Sequence, residues 1–349
     1  MSPARARRRA PLITALLAVA LVMSGCAGET ADSGASAPES GAVIEHAHGR
    51  TTVPEHPQRV VTLGLMSADI VAALGVNPVG VEELWGANDN GYLPWFDDYI
   101  TANFDERPTV IPALEDGPNY EAIQALEPDL ILGLYTGISD VEYARLSEIA
   151  PTIPYIDGPF DPGTWQGMTE TIGTALGKED EADRLVSETE SFIEELVSSH
   201  PVIEDKTFVW GLALTPGDPG MGAYLAYDAR VRITEALGLV STPYMETLEK
   251  TSEGNLWYSG VSLENLSDVP ADVFIAWPNN GISDVDYSLA NEVFLSWDPI
   301  ASGSYVIFTE PASAAAITAP TVLSMPYILP GYIDHIAAAL QGTPWVEGR

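Results

Sequence analysis

The stretch Arg59-Val60-Val61-Thr62-Leu63-Gly64-Leu65-Met66-Ser67-Ala68-Asp69-Ile70-Val71-Ala72-Ala73-Leu74-Gly75-Val76-Asn77-Pro78-Val79-Gly80-Val81 decides the fold class. Val60 to Leu63 is a short apolar run of the kind that fills a strand buried on both faces. Ser67 is placed to cap a helix running through Leu74, and Gly75 to end it in a left-handed conformation. Pro78 to Val81 reads as the next strand. A strand, a helix and a strand in immediate succession form a βαβ unit, and the pattern goes on. Asp129 to Leu134 reads as another strand and Glu142 to Ile149 as a helix ahead of Pro151.

Lys178 to Ser199 reads differently. Ala182, Leu185, Val186, Thr189, Ile193, Leu196 and Val197 fall on one face at helical spacing, and Pro201 closes the run. A helix of that length spans about 33 Å and is stiff. Strand candidates resume at Thr207 to Leu214, Asp272 to Ala276 and Tyr305 to Phe308, with a last helix near Tyr332 to Leu340. The expected architecture is therefore α/β: two Rossmann-like lobes with central, mainly parallel sheets, residues 43–177 and 201–349, joined by one long rigid helix over 178–200.

The chain of 349 residues carries 15 basic and 50 acidic residues, a formal net charge of -35. Nucleic acid is excluded as a partner, because phosphate contacts need a basic face. Arg5, Arg7, Arg8 and Arg9 crowd at the start, ahead of an apolar run from Leu12 to Met23 that is too short to cross a bilayer. Residues 1–25 thus read as an export signal. The run ends at Leu21-Val22-Met23-Ser24-Gly25-Cys26, which resembles a bacterial lipobox, and Cys26 is the chain's single cysteine. Cys26 is the expected lipidation site. Residues 26–42 are small and polar, a flexible tether between membrane and folded body. The expected protein is exported and held by lipid on the outer face of the cytoplasmic membrane.

An internal echo relates the two lobes. Glu121 precedes Asp129, and Glu264 precedes Asp272, by the same interval, and each Asp opens an apolar run, Leu130-Ile131-Leu132 in one case and Val273-Phe274-Ile275 in the other. The chain also carries His48-Gly49-Arg50-Thr51-Thr52-Val53-Pro54, Pro57-Gln58-Arg59-Val60-Val61, Ala73-Leu74-Gly75-Val76, Tyr120-Glu121-Ala122-Ile123, Leu126-Glu127-Pro128-Asp129 and Leu146-Ser147-Glu148-Ile149-Ala150-Pro151-Thr152. In order and spacing these resemble the substrate-binding lipoproteins of ABC importers for iron-siderophore complexes and cobalamin. The resemblance implies a receptor, with no cofactor of its own, that captures an Fe(III)-siderophore chelate and delivers it to a permease dimer. It further implies that one glutamate on each lobe, here Glu121 and Glu264, docks on arginine-rich sites of the permease. The other reading of each glutamate is a negative charge in a helix's first turn, where it offsets the helix dipole.

Ligands of open α/β sheets sit beyond the carboxyl ends of the strands. That places Leu65, Met66, Ser67, Glu83, Leu84, Trp85, Tyr135 and Thr136 at the cleft from the first lobe, and Trp210, Tyr227, Arg230 and Trp277 from the second. Met66, Trp85, Tyr135, Trp210, Tyr227, Arg230 and Trp277 are the candidate ligand contacts, with core packing as the alternative for each aromatic. Anionic chelates call for clustered basic residues, whereas the folded body has only Lys178, Lys206 and Lys250 and scattered arginines. The expected ligand is a neutral or cationic ferric hydroxamate, with cobalamin or haem as the other ligands that the family implies. No catalytic or metal site is expected. The five histidines do not converge, and the chain has no Gly-x-Ser-x-Gly elbow, His-Glu-x-x-His helix or phosphate-binding glycine loop, so a surface-anchored hydrolase is the weaker reading. The protein is expected to be a monomer and not an enzyme.

Overall fold

The computed structural model describes residues 40–161, 163–252 and 258–349. The expected signal segment, Cys26 and most of the tether lie outside the described residues. Ser40, expected in the tether, instead opens a strand.

A hairpin of β1 (Ser40–His46) and β2 (Gly49–Pro54) leads in. The first lobe then alternates β3 (Val60–Thr62), α1 (Ser67–Ala73), β4 (Gly80–Glu82), α2 (Pro94–Asn103), β5 (Thr109–Ile111), α3 (Tyr120–Ala125), β6 (Leu130–Leu132), α4 (Asp140–Ser147) and β7 (Thr152–Ile153). Its five strands are all parallel, in the order β5-β4-β3-β6-β7. β3 and β6 are buried at every residue, as a sheet covered on both faces requires. Two helices follow, α5 (Trp165–Leu176) and α6 (Glu179–Ser199).

The second lobe comprises β8 (Thr207–Leu212), β9 (Gly220–Tyr224), α7 (Ala229–Ala236), β10 (Val240–Ser241), α8 (Tyr244–Thr251), β11 (Tyr258–Ser262), β12 (Val273–Trp277), α9 (Ile282–Ser288), α10 (Glu292–Leu295), α11 (Asp298–Ala301), β13 (Tyr305–Ile307), α12 (Pro311–Thr318), α13 (Ser324–Ala339) and β14 (Trp345–Val346). Its sheet runs β11-β9-β8-β12-β13-β14, with β10 beside β8. β9 is antiparallel to both neighbours, and the other pairings are parallel. The fold is thus α/β with two lobes, mainly parallel sheets and a long helix between them.

α6 is amphipathic as read. Ala182, Val186, Thr189 and Ile193 are buried on one face, while Leu185, Leu196 and Val197 pack against the same core. α5 lies close beside it because Gly173 leaves room: a Cβ there would stand 2.5 Å from the Ala182 Cβ. One apolar cluster runs from Val60 and Leu130 through Trp165 and Ile193 to Phe208 and Tyr332, so both sheets share core with the helices between them. No helix among the described residues is long and apolar enough to cross a membrane.

Three local readings need correction. Ser67 is the first residue of α1 and not its cap. Met66 holds the cap position without a side-chain bond, and the Ser67 hydroxyl instead accepts the Leu134 N–H at 3.3 Å. α4 begins earlier than expected because Ser139 and Glu142 form a reciprocal capping box. α13 begins at Ser324 rather than near Tyr332 and carries Pro330 in its interior. The buried Met325, Leu329, Tyr332, Ile333 and Ile336 outweigh the hydrogen bond that the proline removes.

Candidate functional site

The carboxyl ends of β3 and β6 meet in a strained crossing. Gly64 adopts φ +68°, and a Cβ there would stand 2.3 Å from the Tyr135 carbonyl oxygen, so only glycine fits. Leu65 pairs with Tyr135 in an isolated antiparallel bridge. Met66 then turns with φ +78° and ψ -48°, and the Ser67 N–H closes on the Leu65 carbonyl at 3.0 Å. This is a γ-turn of the rare positive-φ kind, a conformation held only where its surroundings enforce it.

Beyond these strand ends lies a cavity of about 570 Å³, the size of a small-molecule site. Its wall comes from the end of β4, the loops that follow β3, β4, β5 and β6 and Glu142 on α4, joined by Phe160 and, from the second lobe, Thr318. At its mouth Trp85, Leu114 and Phe160 are 47%, 55% and 57% exposed. Large apolar side chains gathered around one concavity await an apolar partner. Phe160 has φ +55° and meets the Tyr135 ring edge-on at 6.1 Å.

Across from Trp85 stands Trp277, their rings 5.1 Å apart. The Trp277 indole donates to the Tyr224 hydroxyl at 2.9 Å, and the Arg230 guanidinium lies 3.6 Å over the Tyr224 ring. Arg230 is itself held by two 2.7 Å bonds to the two oxygens of Asp228. Burial pushes the Tyr135 hydroxyl up to about 12, against the pull of the Arg230 charge. Tyr227 donates to Asp161 at 2.7 Å, tying the second lobe to the loop after β7.

Of the seven candidate contacts, Trp85 and Tyr135 line the cavity. Arg230 and Trp277 stand within the aromatic group that flanks it. Tyr227 is a bridge between the lobes. Trp210 is 1% exposed, its indole donating to the buried Tyr332 hydroxyl at 3.0 Å, so it is a core residue. Its place on β8, a central strand flanked by β9 and β12, explains this. Met66 is 3% exposed and is not among the residues that line this cavity. The sequence reading missed Glu82, Leu114, Ile138, Glu142 and Phe160. Leu114 follows β5, and the strand-end rule would have found it had that strand been recognised.

The cavity's charge is one-sided. Glu82, Glu83 and Glu142 line it, and among the described residues no arginine, lysine or histidine does. Glu82 accepts the Gly64 N–H at 2.7 Å, and burial raises its pKa.

Glu121 and Glu264 are exposed in first helical turns, Glu121 in α3 and Glu264 in the 3-10 turn Leu263–Asp268. Their companion aspartates are structural in matching ways. Asp129 accepts the N–H groups of Gln58 and Arg59 at the start of β3, and Asp272 accepts the N–H and hydroxyl of Thr207 at the start of β8.

Comparison with known proteins agrees with this architecture. The profile of the family described as periplasmic binding protein matches residues 60–295. The chain is 30% identical over 301 residues to the Fe(3+)-citrate-binding protein YfmC of Bacillus subtilis, covering 84% of this chain and 86% of that one. It is 24% identical over 277 residues to the probable siderophore-binding lipoprotein YfiY of the same organism, covering 76% and 78%. Among solved structures, PiaA of Streptococcus pneumoniae TIGR4 in complex with ferrichrome superposes with a TM-score of 0.76 at 28% identity, covering 86% of this chain and 99% of that one.

Proposed function

Since the chain belongs to the periplasmic binding protein family, we propose that it is the extracytoplasmic receptor of an ABC importer, capturing a ferric siderophore of the hydroxamate class and delivering it to the permease. The observation that carries the ligand reading is the cavity itself: about 570 Å³, rimmed by exposed Trp85, Leu114 and Phe160 and lined, among the described residues, by no basic one. A ferric hydroxamate complex presents an apolar, bulky exterior with little negative charge, which such a wall accepts. Aromatic rings supply contact area at little entropy cost, and Tyr135 adds a polar handle. Arg230, stacked on Tyr224, is the remaining polar contact we assign to the ligand. Capture and release need no chemistry, in keeping with relatives named for binding.

The lipid anchor at Cys26 and docking through Glu121 and Glu264 complete the proposal. Exposed carboxylates on two rigid lobes suit bidentate pairing with guanidinium groups. The test is a tryptophan-fluorescence titration of the full chain with ferric hydroxamates, a ferric catecholate, haem and cobalamin. Tight saturable quenching by a hydroxamate is the expected result. A response to cobalamin or haem alone would keep the importer role and replace the ligand. Tighter binding of the catecholate would overturn the charge argument.

A further inference from the structure

Resting on that reading, the packing behind Phe160 singles out a pair of residues that act on the ligand without touching it. Phe160 stands in the cavity wall, largely exposed, with its backbone at φ +55°. A bulky residue keeps such a conformation only where its surroundings enforce it. One restraint lies within the first lobe. The Phe160 N–H donates to the Thr136 carbonyl at 2.9 Å, and the ring lies over Gly137, where a Cβ would stand 2.6 Å from it. The other restraint comes from the second lobe. Asp161, buried, accepts the Gly163 N–H at 2.9 Å on one oxygen and the Tyr227 hydroxyl at 2.7 Å on the other. Arg232 lies 4.5 Å over the Tyr227 ring and donates to the Gly163 carbonyl. The second-lobe segment that grips Asp161 and Gly163 also carries Tyr224 and Arg230, which flank the cavity.

We infer that Tyr227 and Asp161 are positioning residues for ligand retention: their bond between the lobes seats the Phe160 ring in the cavity wall, and the chelate is released more slowly for it. Neither residue lines the cavity, so each acts through Phe160. A hydroxyl donating to a carboxylate makes a charge-assisted bond, stronger than a neutral one. Without it the residue after Phe160 loses its tie to the second lobe, and the ring gives up contact area that it would otherwise hold against the ligand. Release quickens, while association, governed by encounter, changes little.

The experiment measures release. The full chain is loaded with ferrichrome or ferrioxamine B and chased with an excess of the gallium form, which does not quench, so that recovery of tryptophan fluorescence reports dissociation. Tyr227→Phe is expected to speed release three- to tenfold with the association rate changed less than twofold, and Phe160→Ala to speed it at least tenfold. In the Phe160→Ala background Tyr227→Phe should add less than twofold, because the ring through which it acts is gone. A residue that merely stabilised the fold would add its full factor in both backgrounds. Asp161→Asn, which keeps an oxygen for the Gly163 N–H, should shift release in the same direction and decides the matter if Tyr227→Phe fails to fold. Unchanged release, or equal factors in the two backgrounds, overturns the positioning pair and leaves the receptor reading intact. Binding of ferric citrate, haem or cobalamin in place of both hydroxamates overturns the hydroxamate reading, and the same variants then decide the pair with that ligand. Silence of the wild type toward all five overturns the proposed function and the pair with it.

Discussion

Asp69 is the most consequential buried charge outside the cavity. It lies in the first turn of α1, 3% exposed, where one oxygen accepts the Trp95 indole N–H at 2.6 Å and the Thr321 hydroxyl at 2.5 Å. It therefore joins α1, α2 and the segment leading into α13. Burial pushes its carboxyl up to about 6 from an ordinary 3.8, against the opposing pull of Thr321 and Trp95. The unfolded chain thus loses this proton near pH 4, and the folded chain only near pH 6. Below pH 4 both states are protonated and Asp69 costs nothing. As pH rises toward 6 the unfolded state ionises first, and stability falls by ~3 kcal/mol in total. Asn keeps a carbonyl oxygen for both hydrogen bonds and does not titrate. The stability of Asp69→Asn minus that of wild type should therefore climb by ~3 kcal/mol between pH 4 and pH 7, whatever constant offset the amide brings. Urea unfolding followed by tryptophan fluorescence reads this as a relative midpoint shift of about 1 M, for an m-value near 3 kcal/mol/M. A midpoint difference that stays constant across that range would refute the burial argument.

Tyr332→Phe removes the hydroxyl that accepts from Trp210 and donates to Thr234, leaving a buried indole N–H without a partner. It should cost ~1–3 kcal/mol in denaturant unfolding and change ligand affinity less than twofold, as core residues behind the wall would. Gly64→Ala forces a side chain against the Tyr135 carbonyl at positive φ, and should lower both melting temperature and ligand affinity, because the β3 and β6 loops that build the wall must separate. Glu121→Ala with Glu264→Ala should abolish uptake of iron in cells while the purified protein binds its chelate as before; unchanged uptake would remove the docking role.

What the sequence made legible follows from how local each signal was. β3, β6, β8, β12 and β13 were readable because strands buried on both faces are continuous apolar runs. α6 was readable because its apolar stripe persists over more than four turns. The echo of Glu121 and Asp129 in Glu264 and Asp272 was a weak pattern by identity, yet Asp129 and Asp272 do the same work, each holding the start of the neighbouring strand. β9 and β11 escaped because Gly220, Gly222 and Gly260 interrupt them. Trp210 was misplaced because burial of an aromatic depends on which strand ends up central, and that is a property of the sheet and not of the residue's neighbours in sequence. Glu142 could not be seen as a wall residue at all. Its capping role is written in Ser139, but its place in the cavity wall depends on the packing of α4 within the lobe.

The same dependence on tertiary packing bears on how the lobes move. A long α6 suggests that one stiff helix limits closure, but it does not act alone. Trp95 packs on Tyr327 at 5.3 Å, Asp69 bonds Thr321, Tyr227 bonds Asp161, Arg232 donates to the Gly163 carbonyl, and His200 at the end of α6 meets Asp334 on α13 at 2.9 Å. α13, from the end of the chain, packs on α2 as well as on α6. A rotation large enough to open the cavity widely would break several of these bonds and expose part of a shared core, each loss adding to the others. A small rotation would disturb chiefly the Trp85–Trp277 contact, which lies at the cavity mouth. Under the proposed function, capture should therefore seat a ligand in a nearly finished site, with adjustment expected first at that tryptophan pair.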